Sequence, residues 1–116
     1  AHRALAALEA AGRLDAVVTQ NIDGLHQRAG SCSVWELHGN WERLVVHELR
    51  GSRVLGDAVT VDGDPVPACP SCASQMRPDI VMTGEGLGQG VIEAAITAIS
   101  RASVLIVAGT PVVVYP

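Results

Sequence analysis

The chain has 116 residues, 48% of them hydrophobic and 17% charged, which is the composition of a globular domain and not of a disordered tail or a collagen-like repeat. Eight basic and 12 acidic residues give a formal net charge of −4, which argues against a nucleic-acid-binding surface. The sequence shows no secretion leader and no apolar run of membrane-spanning length, so we expect neither nucleic acid nor a membrane as a direct partner. Three cysteines fit no disulfide framework, and we predict a cytoplasmic location.

The first part of the chain alternates between helical and strand patterns. Apolar residues at helical spacing followed by a glycine predict each helix, and short apolar runs predict each strand. The predicted elements are, in chain order, a helix ending before Gly12, a buried strand over 16–19, a short helix over 22–29 closed by Gly30, and strands over 34–37 and 41–46. This alternation is typical of a parallel α/β sheet.

The middle of the chain, from about 41 to 77, breaks the alternation with turn-rich and β-type sequence, including a predicted hairpin edge at 59–65. The α/β pattern then returns, and its predicted elements are a strand over 80–82, a glycine-rich connector over 84–90, a helix over 91–101 and a buried strand over 104–108. We therefore predict an α/β fold: part of a Rossmann-like parallel sheet, with 41–77 as a small inserted module. The chain begins inside a helical pattern and stops within an apolar run, so we interpret it as part of a longer domain.

Polar clusters follow three of the predicted strands, where ligands bind in open parallel sheets. The cluster at 19–24 offers donors and acceptors suited to ribose hydroxyls and a carboxamide. The second cluster is Glu36-Leu37-His38-Gly39, whose histidine can act as a general base near neutral pH, and the third is Gly109-Thr110-Pro111. The alternative is that Asn21, Asp23 and His38 only cap a helix or stabilise a turn.

Cys69-Pro-Ser-Cys72 has the spacing of half a zinc site. A structural zinc ion needs four ligands, and Cys32 lies far upstream without a nearby partner. From the residues alone, the pair is either the remnant of a zinc site or two reduced thiols.

Six blocks of the sequence, taken in order, resemble the sirtuins, which are NAD-dependent protein deacylases. The blocks are Thr19-Gln20-Asn21-Ile22-Asp23-Gly24-Leu25-His26 with Ala29-Gly30, Glu36-Leu37-His38-Gly39, Pro67-Ala68-Cys69-Pro70-Ser71-Cys72, Arg77-Pro78-Asp79-Ile80-Val81, Gly84-Glu85 with Leu87, and Gly109-Thr110 with Val114 and Pro116. Together they extend over nearly the whole chain.

The resemblance implies an enzyme that moves an acyl group from lysine to the ADP-ribose part of NAD and releases nicotinamide. His38 is then the general base that activates a ribose hydroxyl after nicotinamide has left, and Asn21 orders the ribose and a water. The residues implied to bind NAD are Gln20, Asn21, Ile22, Asp23, Gly109 and Thr110. The residues implied to bind the acylated-lysine protein substrate, by pairing as a strand, are Val81, Gly84, Glu85 and Leu87.

The sequence also departs from the family pattern. Val46 and Leu49 stand where the family has its first zinc-binding cysteine pair, so Cys69 and Cys72 are candidate ligands of a site for which we expect well under one zinc per chain. Thr83 replaces a phenylalanine against the acyl-lysine stem, and Pro111 replaces a serine after Gly-Thr. The family's glycine-rich NAD loop has no counterpart here, and we expect it upstream of Ala1. These departures leave a degenerate binding module open as an alternative to a deacylase. A protein ADP-ribosyltransferase is a third alternative, because it uses the same cofactor chemistry.

Overall fold

A computed structural model describes residues 1–46 and 68–110. Its elements are, in chain order, α1 (His2–Ala10), β1 (Val17–Thr19), α2 (Leu25–Arg28), β2 (Val34–Glu36), β3 (Gly39–Val46), β4 (Met76–Ile80) and α3 (Gln89–Arg101). The predicted hairpin edge at 59–65, Leu49 and Pro111 lie outside the described residues. The predicted α/β architecture with parallel pairing is confirmed.

β1 and β2 form a parallel pair in which Val17 lies opposite Val34 and Thr19 opposite Glu36. Helix α1 holds the start of β2 through the carboxylate of Glu9, which accepts hydrogen bonds from the backbone N–H groups of Cys32 (3.1 Å) and Ser33 (2.7 Å). The carboxyl ends of both strands therefore reach the same edge, as a parallel sheet requires. Gly12 ends the first helical segment with a left-handed φ of 66°, as predicted.

β3 and β4 form an antiparallel pair whose register is interrupted by a bulge. Asn40 lies opposite Asp79, but the next pair is Leu44 opposite Pro78. The residues 41–43 of β3 are left out of the ladder, and such a bulge turns its side chains in new directions.

The end of the β3–β4 pair that includes Val46 and Met76 is apolar. Leu44 and Val46 of β3, Met76 of β4 and Cys69 form one buried cluster, each with 4–6% of its surface exposed. Cys69 begins a tight turn in which its N–H donates to the Ser74 carbonyl at 2.8 Å and its own carbonyl accepts from Ala73 at 2.8 Å. The cluster therefore packs this turn against the ladder.

The boundaries of several predicted elements are wrong. The strand predicted over 80–82 is Met76–Ile80, because its partner in the ladder is β3 and the pairing ends opposite Gly39. The short helix predicted over 22–29 is Leu25–Arg28, and the third strand begins at Gly39 instead of residue 41.

The buried strand predicted over 104–108 is wrong. Val104, Leu105, Ile106 and Val107 are 59–84% exposed, and in the described part of the chain this segment pairs with no other strand. An apolar run becomes a parallel strand only where a neighbouring strand accepts its backbone hydrogen bonds. None of the helices within 1–46 and 68–110 is long and apolar enough to cross a membrane.

Candidate functional site

A cavity of about 440 Å³ lies beside the residues that end or directly follow β1, β2 and β4. Its lining residues are Gln20, Asn21, Ile22, Asp23, His38, Ile80 and Val81. Six of these seven were predicted as site residues from the sequence, and Ile80 was not. The fold therefore brings the predicted cofactor segment, the predicted base and the first predicted substrate-binding residue to one place.

His38 is held from two sides. Its ring Nδ1 lies 2.9 Å from the carbonyl oxygen of Gln20, and its own carbonyl accepts a hydrogen bond from Val81 N–H at 2.9 Å. A carbonyl oxygen can only accept, so Nδ1 carries a proton, and in the neutral ring Nε2 is then the nitrogen with the lone pair. The neutral ring is therefore in the tautomer that lets Nε2 act as a base.

The segment after β1 is anchored by its own turn. Thr19 Oγ1 accepts from Asn21 N–H at 3.1 Å, and Asp23 Oδ1 accepts from Leu25 N–H at 2.9 Å at the start of α2. Asp23 thus caps the turn into α2, as the alternative interpretation of the sequence predicted. It also lines the cavity. Arg28 adds a second anchor, since its guanidinium donates to the Asp23 carbonyl and pairs with Glu42 at 3.2 Å.

The third predicted cluster reaches the first. The Thr110 hydroxyl donates to Oε1 of Gln20 at 3.0 Å, which joins residues 90 positions apart in the sequence. Gly109, directly before it, is exposed and has a φ of 71°. Thr110 therefore contacts Gln20, which lines the cavity, although neither Thr110 nor Gly109 lines the cavity itself.

The predicted peptide-binding segment meets the cavity at Val81. Glu85 anchors the following turn by pairing with Arg77 at 3.0 Å and accepting from Met82 N–H at 3.0 Å. Gly84 is exposed and Leu87 is half-buried, and the described cavity does not include them. Of the four predicted substrate-binding residues, only Val81 lies at the cavity.

The predicted zinc ligands do not fit a zinc site in the described part of the chain. Cys69 is 4% exposed in an apolar cluster, whereas Cys72 is exposed. Val46, which stands where a cysteine of the other pair was expected, is a member of the same cluster as Cys69. Within 1–46 and 68–110, no three His, Cys, Asp or Glu side chains come close enough together to hold a metal ion.

Sequence reasoning missed a charged network beside His38. The buried Glu36 carboxylate accepts from Asn40 Nδ2 and from Arg43, each at 2.6 Å, and Arg43 Nε donates to Asp79 at 3.2 Å. Burial by itself lowers the pKa of the Arg43 guanidinium, but the hydrogen bonds and charges of Glu36 and then Asp79 raise that pKa overall. No local pattern could reveal this network, because its ion pairs join residues 7 and 36 positions apart.

Helix α2 carries a histidine with a shifted pKa. Burial lowers the pKa of His26 below its ordinary value of 6.5, the nearby His2 lowers it further, and Asp23 and Glu36 oppose the shift. The rings of His2 and His26 meet edge to face with their centroids 4.6 Å apart. His26 therefore favours its neutral form in the folded chain.

Comparison with known proteins gives a consistent family assignment. The sequence profile of the Sir2 family matches residues 1–116. An NAD-dependent protein deacetylase of Clostridium acetobutylicum is 46% identical over 116 residues, covering 100% of this chain and 47% of that protein. An NAD-dependent protein deacylase of Thermococcus kodakarensis is 44% identical over 120 residues, covering 100% of this chain and 47% of that protein. The chain thus spans about half the length of the curated relatives it matches.

Solved structures agree with these relatives. A Sir2 homologue in complex with NAD superposes with a TM-score of 0.83 at 41% identity, covering 99% of this chain and 44% of that one. A complex of Sir2 with a p53 peptide and NAD⁺ superposes with a TM-score of 0.78 at 45% identity, covering 99% and 48%. Both similarities extend over the described elements and the cavity residues alike.

Proposed function

The chain belongs to the Sir2 family, and we propose that it forms part of an NAD-dependent protein lysine deacylase. One observation carries the proposal: the cavity unites the predicted cofactor segment 20–23, the predicted base His38 and Val81 of the predicted peptide-binding segment. The predicted sirtuin resemblance is confirmed by the family assignment.

The residues present fit an NAD molecule at its nicotinamide end. Gln20, Asn21 and Asp23 place amide and carboxylate groups at the cavity, which suit ribose hydroxyls and a carboxamide. NAD, when bound, would supply the ribose carbon that the acyl oxygen attacks as nicotinamide leaves, and the ribose hydroxyl that takes up the acyl group. Gly109 and Thr110 are proposed to bind another part of the same molecule, and the contact of Thr110 with Gln20 supports this placement.

His38 has the proton-transfer role in this proposal. With Nδ1 donating to the Gln20 carbonyl, Nε2 can take the proton of a ribose hydroxyl and make that oxygen nucleophilic. Asn21 is proposed to order the ribose and a water. A positioned base of this kind contributes roughly 10²–10⁴-fold to a rate.

The proposed substrates are proteins that carry an acylated lysine. Val81 and the following residues Gly84, Glu85 and Leu87 are proposed to pair with an extended substrate segment, as a strand added to an edge. The Sir2 complex with a p53 peptide supports a protein substrate for this family. We also retain the proposals of a cytoplasmic location and of a small inserted module over 41–77, with nucleic acid and membranes outside its proposed partners.

The test is mass spectrometry of an acetyl-lysine peptide incubated with NAD and the full-length protein that contains these residues. We expect loss of the acetyl group, appearance of acetylated ADP-ribose, and at least a 10²-fold slower reaction in His38→Ala with an unchanged circular dichroism spectrum. Retained turnover in His38→Ala would overturn the role of this residue. Peptide binding without turnover over a range of acyl groups would indicate the binding module, and ADP-ribose added to the protein substrate would indicate the transferase.

A further inference from the structure

The bulge at 41–43 of β3 contacts both sides of the candidate site. Trp41 N–H donates to the carbonyl of Ile22 at 3.1 Å, and Glu42 pairs with Arg28, which in turn donates to the Asp23 carbonyl. Arg43 contacts the other side, through Glu36 and Asp79. Because the bulge makes contacts in two directions, it fixes the distance between the segment after β1 and the strands β2 and β4.

Arg43 joins the two strands that flank His38. Glu36 is the last residue of β2, and its side chain is only 5% exposed. Asp79 lies in β4 opposite Asn40, two residues before Val81, whose N–H holds the carbonyl of His38. One guanidinium therefore fixes the span between the chain segment that enters His38 and the segment that holds it.

The chemistry of this span suits arginine alone. Glu36 uses both carboxylate oxygens, one for Asn40 and one for Arg43, so the buried charge is fully hydrogen-bonded. Nε and a terminal nitrogen of Arg43 donate in different directions to two carboxylates at once. A lysine ammonium is a point charge without this rigid fork and cannot reproduce the geometry.

We propose that Arg43 is a positioning residue for the reaction, which holds the His38 ring in its base-competent tautomer by tying Glu36 of β2 to Asp79 of β4. The expected effect of Arg43 on deacylation rests on the proposed function, whereas its expected effect on the His38 tautomer does not. Loss of the tie lets β2 and β4 separate, which lengthens the contacts of His38 with Gln20 and Val81. The Nδ1–H tautomer is then no longer enforced.

The first experiment needs no cofactor. Nitrogen NMR of the histidine rings in the full-length protein, with the His38 signals assigned by their loss in His38→Ala, reports which ring nitrogen carries the proton. We expect the Nδ1–H form of neutral His38 in the wild type and a mixture of both tautomers in Arg43→Met. An unchanged His38 spectrum in Arg43→Met would overturn the proposal.

The second experiment compares the reaction step that needs the base His38 with the earlier step that does not. Incorporation of labelled nicotinamide into NAD reports the step before His38 acts, and deacylation reports the step that needs it. We expect Arg43→Met to slow deacylation about 10-fold or more, on the scale known for small misplacements of catalytic groups, and to leave the exchange rate within about twofold. A parallel fall of both rates, or no change in either, would contradict positioning.

Three further variants test whether Arg43 positions His38 or only neutralises Glu36. In the double variant Glu36→Gln with Arg43→Met, no unpaired charge is buried, so we expect normal folding but deacylation as slow as in Arg43→Met. Recovery of wild-type deacylation and tautomer in this variant would show that Arg43 only neutralises Glu36. Arg43→Lys should recover part of the rate, and Arg3→Met, a matched change at an exposed residue of α1, should change neither readout. If the wild type itself shows no turnover, the proposed function fails, while the tautomer measurement still tests Arg43.

Discussion

The side chains at the two ends of β3 make different kinds of contact. From Gly39 to Arg43 the strand is held by hydrogen bonds and charges, and it contacts Glu36, Asp79 and the segment after β1. From Leu44 to Val46 the strand is paired with β4 in the backbone ladder, and its side chains Leu44 and Val46 pack with Met76 and Cys69 in the apolar cluster. Directional contacts fix a geometry, whereas apolar burial supplies free energy without fixing angles. The difference teaches that this strand places the candidate site with one end and stabilises the fold with the other.

Gly39→Ala should break the polar end with the largest effect. A Cβ at residue 39 would lie 1.9 Å from the Asp79 carbonyl oxygen, and its φ of 79° is left-handed. Backbone strain and forced separation of β3 from β4 together should cost about 4 kcal/mol of unfolding free energy. Urea denaturation measures this loss, and deacylation per folded molecule should fall as well.

Gly12→Ala is the matched control for this prediction. Its φ of 66° is also left-handed, but a Cβ there would meet no atom within 4 Å. We expect a loss of only about 1 kcal/mol, because only the backbone conformation is strained. Equal losses at the two glycines would show that the close approach of Asp79 to Gly39 does not matter.

Met76→Ala should weaken the apolar end without disturbing the site. Met76 is 6% exposed in the buried cluster, and truncation of such a side chain should cost about 3 kcal/mol. The described hydrogen bonds of His38 are with Gln20 and Val81, which are not members of this cluster, so we expect the ratio of nicotinamide exchange to deacylation to stay as in the wild type. A changed ratio at unchanged folding would mean that the two ends of β3 are not separable.

The two cysteines of the turn sharpen the comparison further. Since Cys69 packs in the apolar cluster and Cys72 is exposed, Cys69→Ser should cost about 1–2 kcal/mol and Cys72→Ser about 0.5 kcal/mol or less. We expect well under one zinc per chain by elemental analysis, and a chelator should shift Tm by less than about 2 °C. Similar losses in both variants, together with one zinc per chain, would show that a metal holds this end of the strand.

The smallest expected effect is a pH dependence from His26, away from both ends of β3. Its pKa is lowered by burial from the ordinary 6.5, so the unfolded chain binds a proton at a higher pH than the folded chain does. The free energy of unfolding is therefore unaffected by this group above pH 6.5, and it decreases as the pH falls from 6.5 to the pKa of His26 in the folded chain. Tm measured between about pH 7.5 and about pH 5 should fall less steeply in His26→Gln than in the wild type. Parallel curves would contradict the assignment.

Sequence reasoning predicted the parallel pair, the helices and most of the cavity, because these depend on local patterns. Six cavity residues lie directly after short apolar runs or within the sequence blocks that resemble the sirtuins. The position of β4 was predicted wrongly because its register is set by β3, whose paired residues lie 30 or more positions earlier in the sequence. The Arg43 network was missed for the same reason: its members become neighbours only through the bulge.

The segment 104–107 has a practical consequence for work on these residues. Val104, Leu105, Ile106 and Val107 form a run of β-prone side chains without charge or proline, and all four are more than half exposed. Runs of this kind associate edge to edge between molecules when they meet in solution. A polypeptide limited to these 116 residues should therefore be handled dilute and cold, and with a charged substitution at Ile106 where its concentration must be raised.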